Sequence, residues 1–190
     1  MYAGKQTDKD LFRGVLSQST FIKLCDPPSK VTMFFLSLVY KLIPNVKIHN
    51  PILVSMVLFS RLIIQGTYIS RDPELAKRYD EDPLIHGTGT VLAVYTMITE
   101  FEGLLAHPPH IIYPLLVQAG TSDKLTSFQA AKEVYDKMPP GHPDREFKAW
   151  EGYYHELHNE PLDERNASIA YLENWILARC KDSGEPRAKL

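Results

Sequence analysis

The sequence predicts an α/β fold: a fragment of parallel sheet with flanking helices and a mostly helical insertion between its first two strands. Three observations point there. Ile111 to Gln118 is an unbroken apolar run of strand length, the pattern of a parallel strand covered on both faces. A second short strand, Glu146 to Trp150, follows it across an amphipathic stretch of helix length. Each strand runs into a polar loop, Ala119-Gly120-Thr121-Ser122-Asp123 after one and Glu151-Gly152-Tyr153-Tyr154-His155 after the other. Open α/β sheets place their sites at that carboxyl edge.

Taken in order, Phe12 to Ser19 reads as the first strand, with Val15 and Leu16 at its middle. Pro27-Pro28 stop it, and Ser29 caps a helix that begins near Lys30. Phe34, Phe35, Leu38, Leu42 and Ile43 fall at helical spacing before Pro44 ends that helix. A short helix is expected from Pro73 to Arg78 within a charged stretch. Val91, Val94, Tyr95, Ile98 and Phe101 define the next, ending near Gly103. Thr126 to Lys137 is the helix between the two later strands, with Phe128, Ala131, Val134, Tyr135 and Met138 inward. The last helix starts near Pro161 or Leu162 with Asp163 and Glu164 in its first turn, where the dipole favours them. It is expected to bury Ile169, Leu172 and Ile176 and to end in Arg179 and Lys181.

Composition narrows the function. The 190 residues suit one domain. Lys plus Arg number 21 against 23 Asp plus Glu, a net charge of −2, so the electrostatic footprint of a nucleic-acid binder is missing. Two cysteines, Cys25 and Cys180, cannot build a disulfide framework and suit a reducing compartment. No apolar leader follows Met1. Two apolar stretches, Val31 to Ile43 and Ile52 to Ile64, are each about 13 residues long, whereas a spanning helix needs roughly 20. The expected location is cytoplasmic, or peripheral to a membrane surface.

Chemistry concentrates at two positions. Asp123 follows the Gly120 turn, and His155 occupies the equivalent loop 32 positions later. A carboxylate that orients an imidazole and stabilises its charged form is two thirds of a Ser-His-Asp relay. Where a Ser stands on a strand-to-helix elbow, the order is nucleophile, acid, then His, and these two residues fit the last two places.

Residues 111–176 resemble the C-terminal part of the monoacylglycerol lipase-like, or serine aminopeptidase-like, α/β-hydrolases. The signatures are Pro114-Leu115-Leu116-Val117-Gln118-Ala119-Gly120 running into Asp123, and Tyr154-His155-Glu156-Leu157-His158-Asn159-Glu160, with Trp175-Ile176 closing the last helix. Upstream, Ser70-Arg71-Asp72-Pro73 and Tyr79 to Leu84 resemble the return from the family's lid, and Gly14-Val15-Leu16-Ser17 the strand entering it. The resemblance implies an incomplete α/β-hydrolase fold. Residues 1–25 would be the last part of an N-terminal core, 26–100 the lid and 101–190 the C-terminal core. By carry-over Asp123 is the triad acid and His155 the general base. The implied activity is hydrolysis of lipid carboxyl esters through an acyl-Ser intermediate, with no cofactor.

One part of the family pattern is missing. The sequence contains no Gly-x-Ser-x-Gly, so the nucleophile Ser is absent from the chain, which is expected to be a fragment inactive on its own. Gly120-Thr121-Ser122-Asp123-Lys124 lacks the second glycine, and Ser17 and Ser19 sit on a strand without an elbow. His86-Gly87-Thr88-Gly89 resembles an oxyanion-hole motif only superficially, and Val54 to Gln65 looks inserted relative to the family lid. Metal binding is the rival chemistry. His155-Glu156-Leu157-His158 is one residue short of His-Glu-x-x-His, and Pro108-Pro109 separate His107 from His110. No metal site is expected. The alternative to an esterase is a non-catalytic remnant or a membrane-surface interaction protein. The expected partners are a lipid or small ester, a membrane surface met through the apolar lid helix, and a second copy through the exposed edge of the first strand. No nucleic acid is expected.

Overall fold

The computed structural model describes residues 12–48, 65–85 and 89–180. Three strands, β1 (Val15–Gln18), β4 (Leu115–Gly120) and β5 (Arg145–Trp150), form a parallel sheet in the order β1-β4-β5. Val15 pairs with Leu115, and Leu115 with Arg145. Between β1 and β4 lie α1 (Lys30–Leu42), β2 (Lys47–Ile48), α2 (Gly66–Ile69), α3 (Pro73–Glu81), β3 (Gly89–Thr90) and α4 (Val91–Ala106). Helix α5 (Phe128–Lys137) joins β4 to β5, and α6 (Leu162–Cys180) follows β5. The parallel α/β sheet expected from the sequence is present.

Helix starts follow their caps. Ser29 accepts from Thr32 N, Asp72 from Glu74 N and Leu75 N with Pro73 next to it, Thr90 from Ala93 N, and Ser127 from Ala130 N. Strand limits depart from the sequence reading for two reasons. Pro114 has no N–H to give a ladder, so β4 begins at Leu115 and the expected start at Ile111 is corrected. Pro114 instead accepts from Val15 N at 2.8 Å, which opens β1. At the other end, Ser19 takes φ +47° and turns the chain out of the sheet, so β1 spans Val15–Gln18 rather than Phe12 to Ser19.

Among the described residues, three buried apolar clusters make up the core. Ile22 packs with Ala130, Ala131 and Val134 of α5; Ile111, Tyr113, Leu115 and Val117 pack together on one sheet face. Away from the sheet, Leu36 of α1 meets Val91 of α4, with Tyr40 stacked on Tyr95 at 4.5 Å. Only Thr32 and Leu36 of α1 are buried. Its opposite side presents Val31, Phe34 (65% exposed), Phe35 (56%), Leu38 and Leu42 (71%) to solvent.

The inward face of α6 differs from expectation. Ile169 and Ile176 are 43% and 44% exposed, while Ser168 and Trp175 are buried and Leu172 half-buried. The Ser168 hydroxyl donates to Leu157 O at 2.8 Å, so a polar side chain sits inside without penalty. Trp175 fills the space above Gly14, where an added Cβ would lie 2.6 Å from its ring. A satisfied hydroxyl and one large indole set the stripe, and ranking residues by hydropathy misses both.

Tyr171 of α6 donates to Glu146 of β5. Burial, then this bond and the Glu146 charge, push its phenol up from 10.0 to about 12. Between those values the folded chain keeps a proton that the unfolded chain has lost. Stability from this contact is therefore complete below pH 10 and is expected to fall as pH rises toward 12. Alkaline denaturation midpoints should be less pH-dependent in that window for Tyr171→Phe; equal slopes for both proteins would remove this contact from the alkaline response.

Candidate active site

The β4–α5 loop builds the acid. Asp123 is buried at the carboxyl end of β4, and its Oδ1 accepts from Leu125 N at 2.7 Å and Thr126 N at 2.9 Å. Oδ2 accepts from the Thr126 hydroxyl at 2.8 Å and meets His155 Nδ1 at 2.8 Å. The two residues singled out in the sequence are thus in hydrogen-bond contact, with 2% of the Asp123 side chain and 20% of the His155 side chain exposed. Because both carboxylate oxygens act as acceptors, the neutral ring carries its proton on Nδ1 and keeps its lone pair on Nε2. Among the described residues, Nε2 has no hydrogen-bond partner.

Gly120 permits the approach of the two loops. A Cβ there would lie 2.3 Å from Tyr153 O and 2.5 Å from Tyr154 O. Thr121 N donates to Trp150 O at 2.9 Å and Ser122 N to Tyr153 O at 3.0 Å, tying the ends of β4 and β5 together.

Several residues that sequence reasoning missed hold the His loop. The Ser19 hydroxyl donates to His155 O. Glu160 is fully buried; its Oε1 accepts from Tyr154 N and its Oε2 from Arg71 Nε at 2.6 Å. Glu156 N donates to Ile69 O at 2.9 Å, and the Ser70 hydroxyl to Asn159 O. A local signal existed only for Thr126, placed as an Asx-turn partner three residues after Asp123. Glu160 lies six positions from Tyr154, whereas Arg71 and Ser70 lie 89 positions, and Ser19 136, from the loop residues they hold.

The other singled-out residues are elsewhere. Gln18 Nε2 donates to His158 Nδ1 at 2.9 Å, and His158 is a neighbour of the pair rather than a member. Cys25 Sγ donates to Asp123 O at 3.2 Å; partial burial, then the Asp123 charge, pushes its thiol up, the opposite of an activated nucleophile. Among the described residues, no three His, Cys, Asp or Glu gather as a metal would require. His86, Gly87 and Thr88, and Val54 to Ile64, lie outside the described residues.

The sequence profile of a family described as serine aminopeptidase, S33 matches residues 1–162. The chain belongs to this α/β-hydrolase family. A Schizosaccharomyces pombe relative is 25% identical over 185 residues, covering 96% of this chain and 45% of the other. The monoglyceride lipase of Rattus norvegicus is 24% identical over 176 residues, covering 91% of this chain and 53% of that enzyme. Among solved structures, a soluble variant of the Saccharomyces cerevisiae monoglyceride lipase, in complex with a substrate analog, superposes with a TM-score of 0.74 at 17% identity. That fit covers 94% of this chain and 57% of the yeast chain. The Paleococcus ferrophilus monoacylglycerol lipase gives 0.71 at 21% identity, covering 94% and 63%. The chain therefore shares the fold of these enzymes and spans about half the length of the curated relatives it matches. A lipase- or esterase-type hydrolase is the family's character.

Proposed function

We propose that this chain carries the acid and the general base of a serine hydrolase for lipid-like carboxyl esters of the monoacylglycerol class. The observation that supports it is the 2.8 Å contact of Asp123 Oδ2 with His155 Nδ1, which leaves Nε2 free to take a proton. In this mechanism Nε2 deprotonates a Ser hydroxyl and later returns the proton to the leaving alcohol, while Asp123 holds the tautomer and stabilises the imidazolium. The Ser and the oxyanion donors come from sequence outside these 190 residues, which contain no Gly-x-Ser-x-Gly. Residues 26–100 act as the lid over this site. A fluorophosphonate probe tests the assignment: His155→Ala is expected to abolish labelling of an elbow Ser in the reassembled enzyme, and labelling that survives the change would end it.

A second reading rests on α1. Its exposed Phe34, Phe35, Leu38 and Leu42 make an apolar face suited to a membrane surface. No helix among the described residues is long and apolar enough to cross a membrane. In this reading the chain works in the cytoplasm and docks peripherally, with or without chemistry. Phe34→Asp plus Leu38→Asp removes two side chains worth about 1.5–3 kcal/mol each when buried. Co-sedimentation with phosphatidylcholine vesicles is expected to fall at least about tenfold; unchanged binding of a folded double variant would exclude docking through this face.

A further inference from the structure

Glu160 is the most deeply buried acid near the site, and its two oxygens serve different segments. Oε1 accepts the N–H of Tyr154, the residue before His155; Oε2 accepts Arg71 Nε at 2.6 Å. Arg71 follows α2, within the helical insertion between β1 and β4. The same segment holds the other side of the imidazole, because Ile69 O accepts the N–H of Glu156 at 2.9 Å. Arg71 also lies over the Tyr153 ring at 5.1 Å, and its Nη2 sits 3.5 Å from Glu164 as an ion pair without a hydrogen bond. His155 is thus flanked by two backbone amides, both anchored directly or through one carboxylate to residues 69–71.

A buried carboxylate that loses its cation is strongly unfavourable. Moving residues 69–71 therefore either strands Glu160 without its partner or carries the His loop along. We infer that Arg71 and Glu160 are positioning residues that couple the placement of the His155 imidazole to the α2–α3 segment of the insertion. The inference rests on the reading of Asp123 and His155 as the acid–base pair and adds to it the element that controls their alignment. Neither residue hydrogen-bonds the ring. Their effect on it passes through the amides of residues 154 and 156.

The test uses the whole chain and two readouts that need no activity. The first is the downfield proton resonance of His155 Nδ1–H, which Asp123→Asn is expected to abolish. Arg71→Met is expected to weaken or shift that resonance, and Glu160→Gln, which hardly changes volume but replaces one acceptor oxygen with a donor, to do the same. Lys132→Met, which removes a surface ion pair with Asp136, serves as the control and should leave it unmoved. The second readout is hydrogen exchange: the amide of Glu156 should exchange about tenfold faster in Arg71→Met while the β4–β5 ladder keeps its protection. A resonance unchanged in both Arg71→Met and Glu160→Gln, with Asp123→Asn still abolishing it, overturns the coupling and leaves the acid–base pair standing. A resonance that persists in Asp123→Asn overturns the pair itself. Exchange that quickens uniformly across the sheet would mean simple destabilisation and also overturns the coupling.

Discussion

The 190-residue chain is expected to remain unlabelled by a fluorophosphonate and to hydrolyse no ester. On the proposed function Asp123 and His155 form a base, but the sequence supplies no Gly-x-Ser-x-Gly elbow Ser for Nε2 to deprotonate. Loss of a nucleophile typically removes about six orders of magnitude in rate, and loss of one oxyanion donor about two to three more. Restoring a Gly-x-Ser-x-Gly-bearing portion is expected to bring labelling back. In that reassembled enzyme Asp123→Asn should lower turnover about 10⁴-fold, because the amide stabilises the wrong tautomer. Probe labelling of the 190 residues alone, lost on His155→Ala, would show that a nucleophile lies within them after all.

Gly120→Ala should be the most damaging single-methyl change at the site. Its Cβ would meet two backbone carbonyls, Tyr153 O at 2.3 Å and Tyr154 O at 2.5 Å, and backbone cannot step aside as a flexible side chain can. Overpacking of this kind costs about 1–3 kcal/mol or more, equivalent to a fall of roughly 2–12 °C in Tm for a chain of this size. The displaced loop is the one that carries His155, so the Nδ1–Oδ2 contact should lengthen as well. Gly103→Ala in α4 is the matched control, since nothing lies within 4 Å of its added Cβ. There a gain of about 0.5–1 kcal/mol is expected from helix propensity. Differential scanning calorimetry of the two variants decides the matter, and a Gly120→Ala protein as stable as the parent would show that the loops are not held this tightly.

What could be read in the sequence was local. Ser29 marks a helix start because a cap is a bond across two or three residues. Asp123 and His155 stood out because each ends a strand-and-loop unit with its own short-range pattern. The roles of Arg71 and Ser19 did not, since their bonds span 89 and 136 positions and leave no periodicity. Ser168 of α6 was passed over for Ile169 because its burial depends on a carbonyl, Leu157 O, that only the folded chain brings near. The length of β1 was misread because the φ of +47° at Ser19 is enforced by tertiary contacts, not by the residue type. Apolar faces were legible in α1, yet which side would be covered depended on α4.

The bonds around His155 also set an order of events. Pairing β4 with β5 closes a chain segment of ordinary α/β length, and the Asp123–His155 contact spans only 32 positions. The clasp by Ser19 closes 136 positions, and those by Ser70 and Arg71 close 89. Contacts of such separation lose the most chain entropy and form slowly. A refolding chain should therefore assemble its β4–α5–β5 unit first, while the imidazole is still loosely held. Burial of the Glu160 carboxylate against Arg71 becomes a late event, and protection of the Glu156 amide, which donates to Ile69 O, a clock for the end of folding.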